Sequence, residues 1–140
     1  MKFSEQNYKD YILSELPNFR SRIENYHSNF KDQPWRNPTL CGELMELVDF
    51  YEDLKENERE NIEEIKKVFI IAEELAYQGN EEIRGALEVC FFESIINSLG
   101  TDEKALSEFF KLLGPASIEL CKKNDAFWGT RTPGLYGSDH

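Results

Sequence analysis

Apolar residues recur along this chain at steps of three and four rather than two, a periodicity that predicts helices and no strands. In residues 4–16 the positions Tyr8, Tyr11, Ile12 and Leu16 share a helical face, and Pro17 ends that helix or opens the next. A second helix carries Phe19, Ile23, Tyr26 and Phe30 and stops at KDQPWRNPT, where Pro34 and Pro38 both disfavour helix. Residues 39–56 put Leu40, Leu44, Leu47, Val48, Tyr51 and Leu54 on one core-facing stripe behind Thr39 as N-cap. Residues 60–78 turn Ile65, Val68, Phe69, Ala72, Leu75 and Ala76 inward, with Gly79 suited to a left-handed cap and Asn80 to the next N-cap.

Residues 81–99 leave only a narrow polar strip, the pattern of a helix surrounded by others. A helix after Gly100 and Thr101 has Asp102 and Glu103 at its positive end and Leu106, Phe109, Phe110 and Leu113 as its apolar face. After Gly114 a last helix starts on Pro115 and runs to about residue 127, burying Ile118, Leu120 and Cys121. The expected fold is all-α: about seven antiparallel helices in a bundle or short HEAT-like stack, one domain over 1–136 with an ordered irregular tail and a flexible end at 137–140.

The composition adds a sign. A net charge of −11 repels phosphate backbones and anionic lipid, which argues against nucleic acid and membrane partners and for a basic protein. No signal-like apolar run opens the chain and no stretch is long enough to span a bilayer, so a cytoplasmic location is expected. Cys41, Cys90 and Cys121 are odd in number and widely spaced, which reads as reduced structural thiols; Cys41, close to a helix start, is the best-placed thiolate. His27 and His140 read as lone surface histidines. With no metal-ligand spacing, phosphate loop or nucleophile motif, no catalytic residue, metal or cofactor is expected, and the chain is read as a non-enzyme.

Two groups of residues are candidates for partner binding. Glu46, Asp49, Asp53 and Glu56 recur at helical steps with only Lys55 nearby, a like-charged stripe with no evident stabilising role. The other group pairs the loop residues Trp35 and Arg36 with Trp128 and Arg131 of the C-terminal stretch FWGTRTPGLYG, residue types enriched at interaction hot spots. That stretch has a structural reading too: Gly129 stops the helix and Pro133-Gly134 turns the chain, so that Leu135 and Tyr136 pack back and the two large aromatics, Phe127 and Trp128, become buried. Only Arg131 is unneeded for that, although either arginine stacked on a tryptophan would also fix the tail.

ALEVCFFESIINSL and FFKLLGPASIELCKKNDAFWGTRTPGL together resemble the C-terminal half of a group of small bacterial proteins that carry a domain of unknown function. The resemblance covers residues 80–135, implies that the tail belongs to the domain, and brings no activity or catalytic residue with it. By analogy of size, charge and helix content, immunity proteins that cover a toxin's basic active site share this look. The expected function is therefore a protein-binding module, most concretely an immunity protein. The alternatives are a small-molecule binder or enzyme with a pocket under the tail lined by Trp128, Arg131 and Tyr136, and a structural or dimerisation subunit.

Overall fold

A computed structural model describes residues 2–33 and 35–136. Pro34 and the expected flexible end, 137–140, lie outside the described residues. Among them are seven helices and no strand. These are α1 (Tyr8–Glu15), α2 (Arg20–Ser28, entered through a 3-10 turn at Pro17–Phe19), α3 (Leu40–Lys55) and α4 (Glu58–Gln78). Then follow α5, α6 (Glu103–Lys111) and α7 (Pro115–Trp128). Helix α5 is continuous over 81–99 but changes pitch: Glu81–Ala86 and Glu93–Leu99 are α-helical, while Leu87–Phe92 is a π-helix whose end is marked by the Glu93 N–H bonding to the Glu88 carbonyl.

The centre is formed where α3 and α4 pack on each other and on the π segment of α5, with α7 against α4. Phe69 of α4 is the hub, its ring 4.9 Å from Tyr51 (α3), 6.3 Å from Phe91 (α5) and 5.7 Å from Phe109 (α6). All six predicted inward residues of α4 are buried, and Ile71 joins them. On α3 the stripe is as read except that Leu40 is only half-buried and Phe50 and Glu43 are buried as well.

Caps come from the sequence and from across the fold. Thr39, Asn80 and Asp102 accept from the N–H groups of Gly42, Ile83 and Ala105. The start of α7 has no such side chain of its own. Instead Glu73 of α4 accepts from the Ala116 and Ser117 amides at 3.0 and 2.9 Å, and from the Ser117 hydroxyl at 2.9 Å.

Gly79 is extended (φ −80°, ψ 154°), not left-handed. It is glycine because a Cβ there would lie 2.3 Å from the Leu75 carbonyl oxygen and 2.7 Å from Ile83, and its neighbours bond to a buried Phe3: the Asn80 amide donates to the Phe3 carbonyl at 3.0 Å, and the Phe3 amide to the Gln78 carbonyl.

Cys41 and Cys90 are joined in a disulfide, with Cα atoms 5.4 Å apart, so Cys41 is not a thiolate and two of the three thiols are not reduced. Spacing along the chain could not reveal this, because the pair meets only when α3 packs on the π segment. Cys121 alone is free, and burial, with the Asp125 and Glu88 charges adding, pushes its thiol up to about 12, so it is inert at neutral pH.

His27 is not a lone surface histidine. Its Nε2 bonds to Glu43, which also accepts from the Tyr8 hydroxyl and from Lys9 Nζ at 2.8 Å. Burial pushes the Glu43 carboxyl up, but the hydrogen bonds from Lys9, Tyr8 and His27 outweigh it and hold it below the usual carboxylate range. The same contact raises Tyr8, whose burial is the larger cause.

Candidate functional site

The tail is built on one carboxylate. Helix α7 ends at Gly129, which is left-handed as expected (φ 68°, ψ 28°), and the Thr130 amide then turns back to the Asp125 carbonyl at 3.0 Å. Asp125, only 5% exposed, accepts from the Thr130 hydroxyl at 2.9 Å, the Thr132 amide at 2.7 Å, the Thr132 hydroxyl at 2.5 Å and the Tyr136 hydroxyl at 3.0 Å. Burial alone would raise its pKa; the donors from Thr132, Thr130 and Tyr136 reverse that and hold it below the ordinary value. Sequence reading missed Asp125: the hydroxyls of Thr130 and Thr132, five and seven residues on, are the signal a short acceptor loop leaves, but nothing in the sequence marks Asp125 itself as buried.

Leu135 is buried and Tyr136 half-buried, as the turn at Pro133-Gly134 predicts. The aromatics before the turn behave otherwise. Phe127 is 75% and Trp128 60% exposed, the two rings in edge contact at 5.1 Å, so the expectation that folding the tail buries them is wrong. Phe127, two positions from Asp125, points away from the buried face, whereas Trp128 continues the stripe of Cys121, Asn124 and Asp125 but is the last residue of α7, and it is exposed there. Arg131 is engaged in fastening after all, its guanidinium 4.1 Å from the Tyr136 ring centre, with Lys122 at 5.6 Å on the same ring.

Between the tail and the C-terminal half of α5 runs a groove of about 690 Å³, walled by Glu93, Ile96 and Asn97 on one side and Trp128, Arg131 and Pro133 on the other. Tyr136 lies outside this lining. So do Trp35 and Arg36: Trp35 is 76% exposed on its own loop, and Arg36 folds back on the turn after α2, over the Phe30 ring at 5.2 Å and donating to the Gln33 side chain at 3.1 Å. Both arginines therefore stack on other rings than tryptophan.

The acidic stripe occupies a third place. Asp49, Asp53 and Glu56 are exposed and Glu46 is half-buried on α3, but the stripe is not without a cation. Arg22 of α2 pairs with Asp53 and lies 3.9 Å from Glu46, which gives those two carboxylates the stabilising role expected to be missing. Glu46 is held above the ordinary carboxylate range by burial and by the Asp49 charge, with Arg22 offsetting part. Among the described residues Asp49 and Glu56 have no ion pair.

The fold and the site thus define an all-helical domain with a carboxylate-fastened tail and a groove beneath it. The chain belongs to the family defined by the domain of unknown function DUF7674, whose model matches residues 9–129. The match takes in the N-terminal half, which the C-terminal motifs alone do not reach, and ends before Thr130. No curated protein and no solved structure matches the chain. Among the described residues no helix is long and apolar enough to cross a membrane.

Proposed function

We propose that this chain is a protein-binding module that holds a basic partner at the Phe127–Trp128 corner of the tail groove. One observation carries the reading: two large aromatic rings stay exposed on a helix end to which four hydrogen bonds to Asp125 fasten the tail. Such rings are a solvation cost in the free protein and supply contact area at little entropic cost to a complex. The net charge of −11 gives the partner its sign. The groove lining offers a cationic side chain of the partner Glu93 and Trp128, beside an Arg131 that is turned to the Tyr136 ring. Asp49 and Glu56, left without ion pairs, add long-range attraction. In its most specific form the partner is a toxin with a cationic active site, and the chain an immunity protein.

The test is capture with the purified chain, identification of what is held, and titration of that purified partner. A basic partner whose Kd weakens about tenfold or more (~1.4 kcal/mol) with Trp128→Ala, and further with Asp49→Lys and Glu56→Lys together, supports the reading. An acidic partner, or one bound equally by the wild type and a Phe127→Ala, Trp128→Ala chain, overturns it. A second reading, a small-molecule site in the same groove, is favoured by its volume of about 690 Å³, within the range of ligand pockets.

A further inference from the structure

A second cavity lies on a different face, between α1 and α2, and its chemistry runs against the rest of the molecule. It has a volume of about 470 Å³. Its polar lining is Lys9, Arg20, His27, Lys31, Ser28 and a single acid, Glu24; Leu13 and Ile23 form an apolar wall. In a chain with 27 acidic and 16 basic residues, four of the five titratable groups facing this cavity are cationic types.

What separates it from a chance cluster is the carboxylate underneath. Glu43 reaches from α3, 6% exposed, and bonds to both Lys9 and His27, so that two lining side chains are held in place from behind. Because Glu43 is held ionised, His27 Nε2 must donate to it, which leaves Nδ1 as the ring nitrogen not engaged by the carboxylate. The third donor to Glu43, the Tyr8 hydroxyl, is buried and closes the network from the far side. Arg20, at the start of α2, and Lys31, in the turn after its end, make no ion pair among the described residues.

We propose that the α1–α2 cavity binds a small organic phosphate, its phosphate oxygens held by Arg20, Lys31 and Lys9 and its organic part laid against Leu13 and Ile23. A phosphate is the class that fits because it offers three peripheral oxygens and up to two charges, whereas a monocarboxylate would leave most of these donors unmatched. A volume of about 470 Å³ leaves room for a substituent beyond the phosphate, and the apolar wall gives that substituent a surface. The site is remote from the Asp125 tail in the elements that build it, so it stands whether or not Trp128 binds a protein.

Phenyl phosphate and inorganic phosphate serve as probes in isothermal titration of the full chain. Phenyl phosphate is expected to bind, and more tightly than inorganic phosphate. Replacing Arg20 and Lys31 together by Ala, both exposed and outside the core, is expected to weaken it about tenfold or more, while Lys66→Ala on α4 leaves it unchanged. Absence of binding by both probes, or phenyl phosphate bound as well by the Arg20→Ala, Lys31→Ala chain, overturns the site. Equal affinity for the two probes overturns the organic part of the assignment.

Discussion

Asp125 ties seven residues of chain to α7 through a single side chain, and its hydrogen bonds make the tail sensitive to acid. Its carboxyl lies lower in the folded than in the unfolded protein. The stabilisation is therefore complete above the unfolded carboxylate range near pH ~4 and is lost as pH falls through the folded value. Glu46 and Glu88 shift the opposite way, each raised first by burial, so their contribution is lost as pH rises and a global melting profile would mix the two signs. The readout should be local: the Thr132 amide, which donates to Asp125, is expected to lose hydrogen-exchange protection in acid before the α3 and α4 amides do. Equal loss everywhere would count against an Asp125 lock. Glu43→Ala belongs at this scale too. It leaves a buried tyrosine hydroxyl and a lysine without their acceptor, and is expected to cost roughly 3 kcal/mol in urea unfolding, with Glu43→Gln costing less.

At the scale of elements, the tail splits into an anchor and a display. Leu135 is buried, so Leu135→Ala is expected to lower stability by about 2–4 kcal/mol. Phe127→Ala and Trp128→Ala remove larger side chains yet are expected to change it by less than about 0.5 kcal/mol, because both are exposed. Chemical denaturation of the three variants checks the contrast, and a large loss at Trp128 would show that it is part of the packing. The helices themselves were legible in the sequence because each stripe repeats over several turns: α3 and α7 begin and end within a residue or so of where Thr39, Pro115 and Gly129 put them. On α7 the reading found Leu120 and Cys121, which are buried, but missed Ser117, Asn124 and Asp125 on the same face, because they are polar and periodicity counts only apolar positions. Glu43 escaped for the same reason: an acid on the buried side of α3 looks like any other acid until Lys9 and His27 from two other helices are seen to meet it.

Over the whole molecule one hydrophobic cluster runs from Phe3 to Leu135, and the Cys41–Cys90 bond clips α3 to α5 across a sequence separation of 49. A cross-link over a loop of that length is expected to contribute about 2–4 kcal/mol, chiefly by restricting the unfolded chain. Reduction, or Cys41→Ser, should lower the urea midpoint accordingly, whereas Cys121→Ser leaves the cross-link intact. An unchanged midpoint in reductant would mean that the packing of α3 on α5 needs no covalent help. Contacts of this kind lie beyond sequence reading because they join residues that share no local pattern, as does the pairing of Phe3 with Gly79.

The π segment of α5 acts as a phase shifter. Leu87–Phe92 winds with about one residue more per turn than the helix on either side, so the two halves of α5 are offset by about 100° from the faces a uniform helix would present. The π segment itself meets α3 through Cys90, while the half after it turns Glu93 and Asn97 to the tail groove and Ile95 to the core. Deleting a single residue after Cys90 would restore an even pitch, leave the helix unbroken, and swing all three side chains out of register. A loss of one residue there would thus erase the groove while leaving the sulfur bridge in reach.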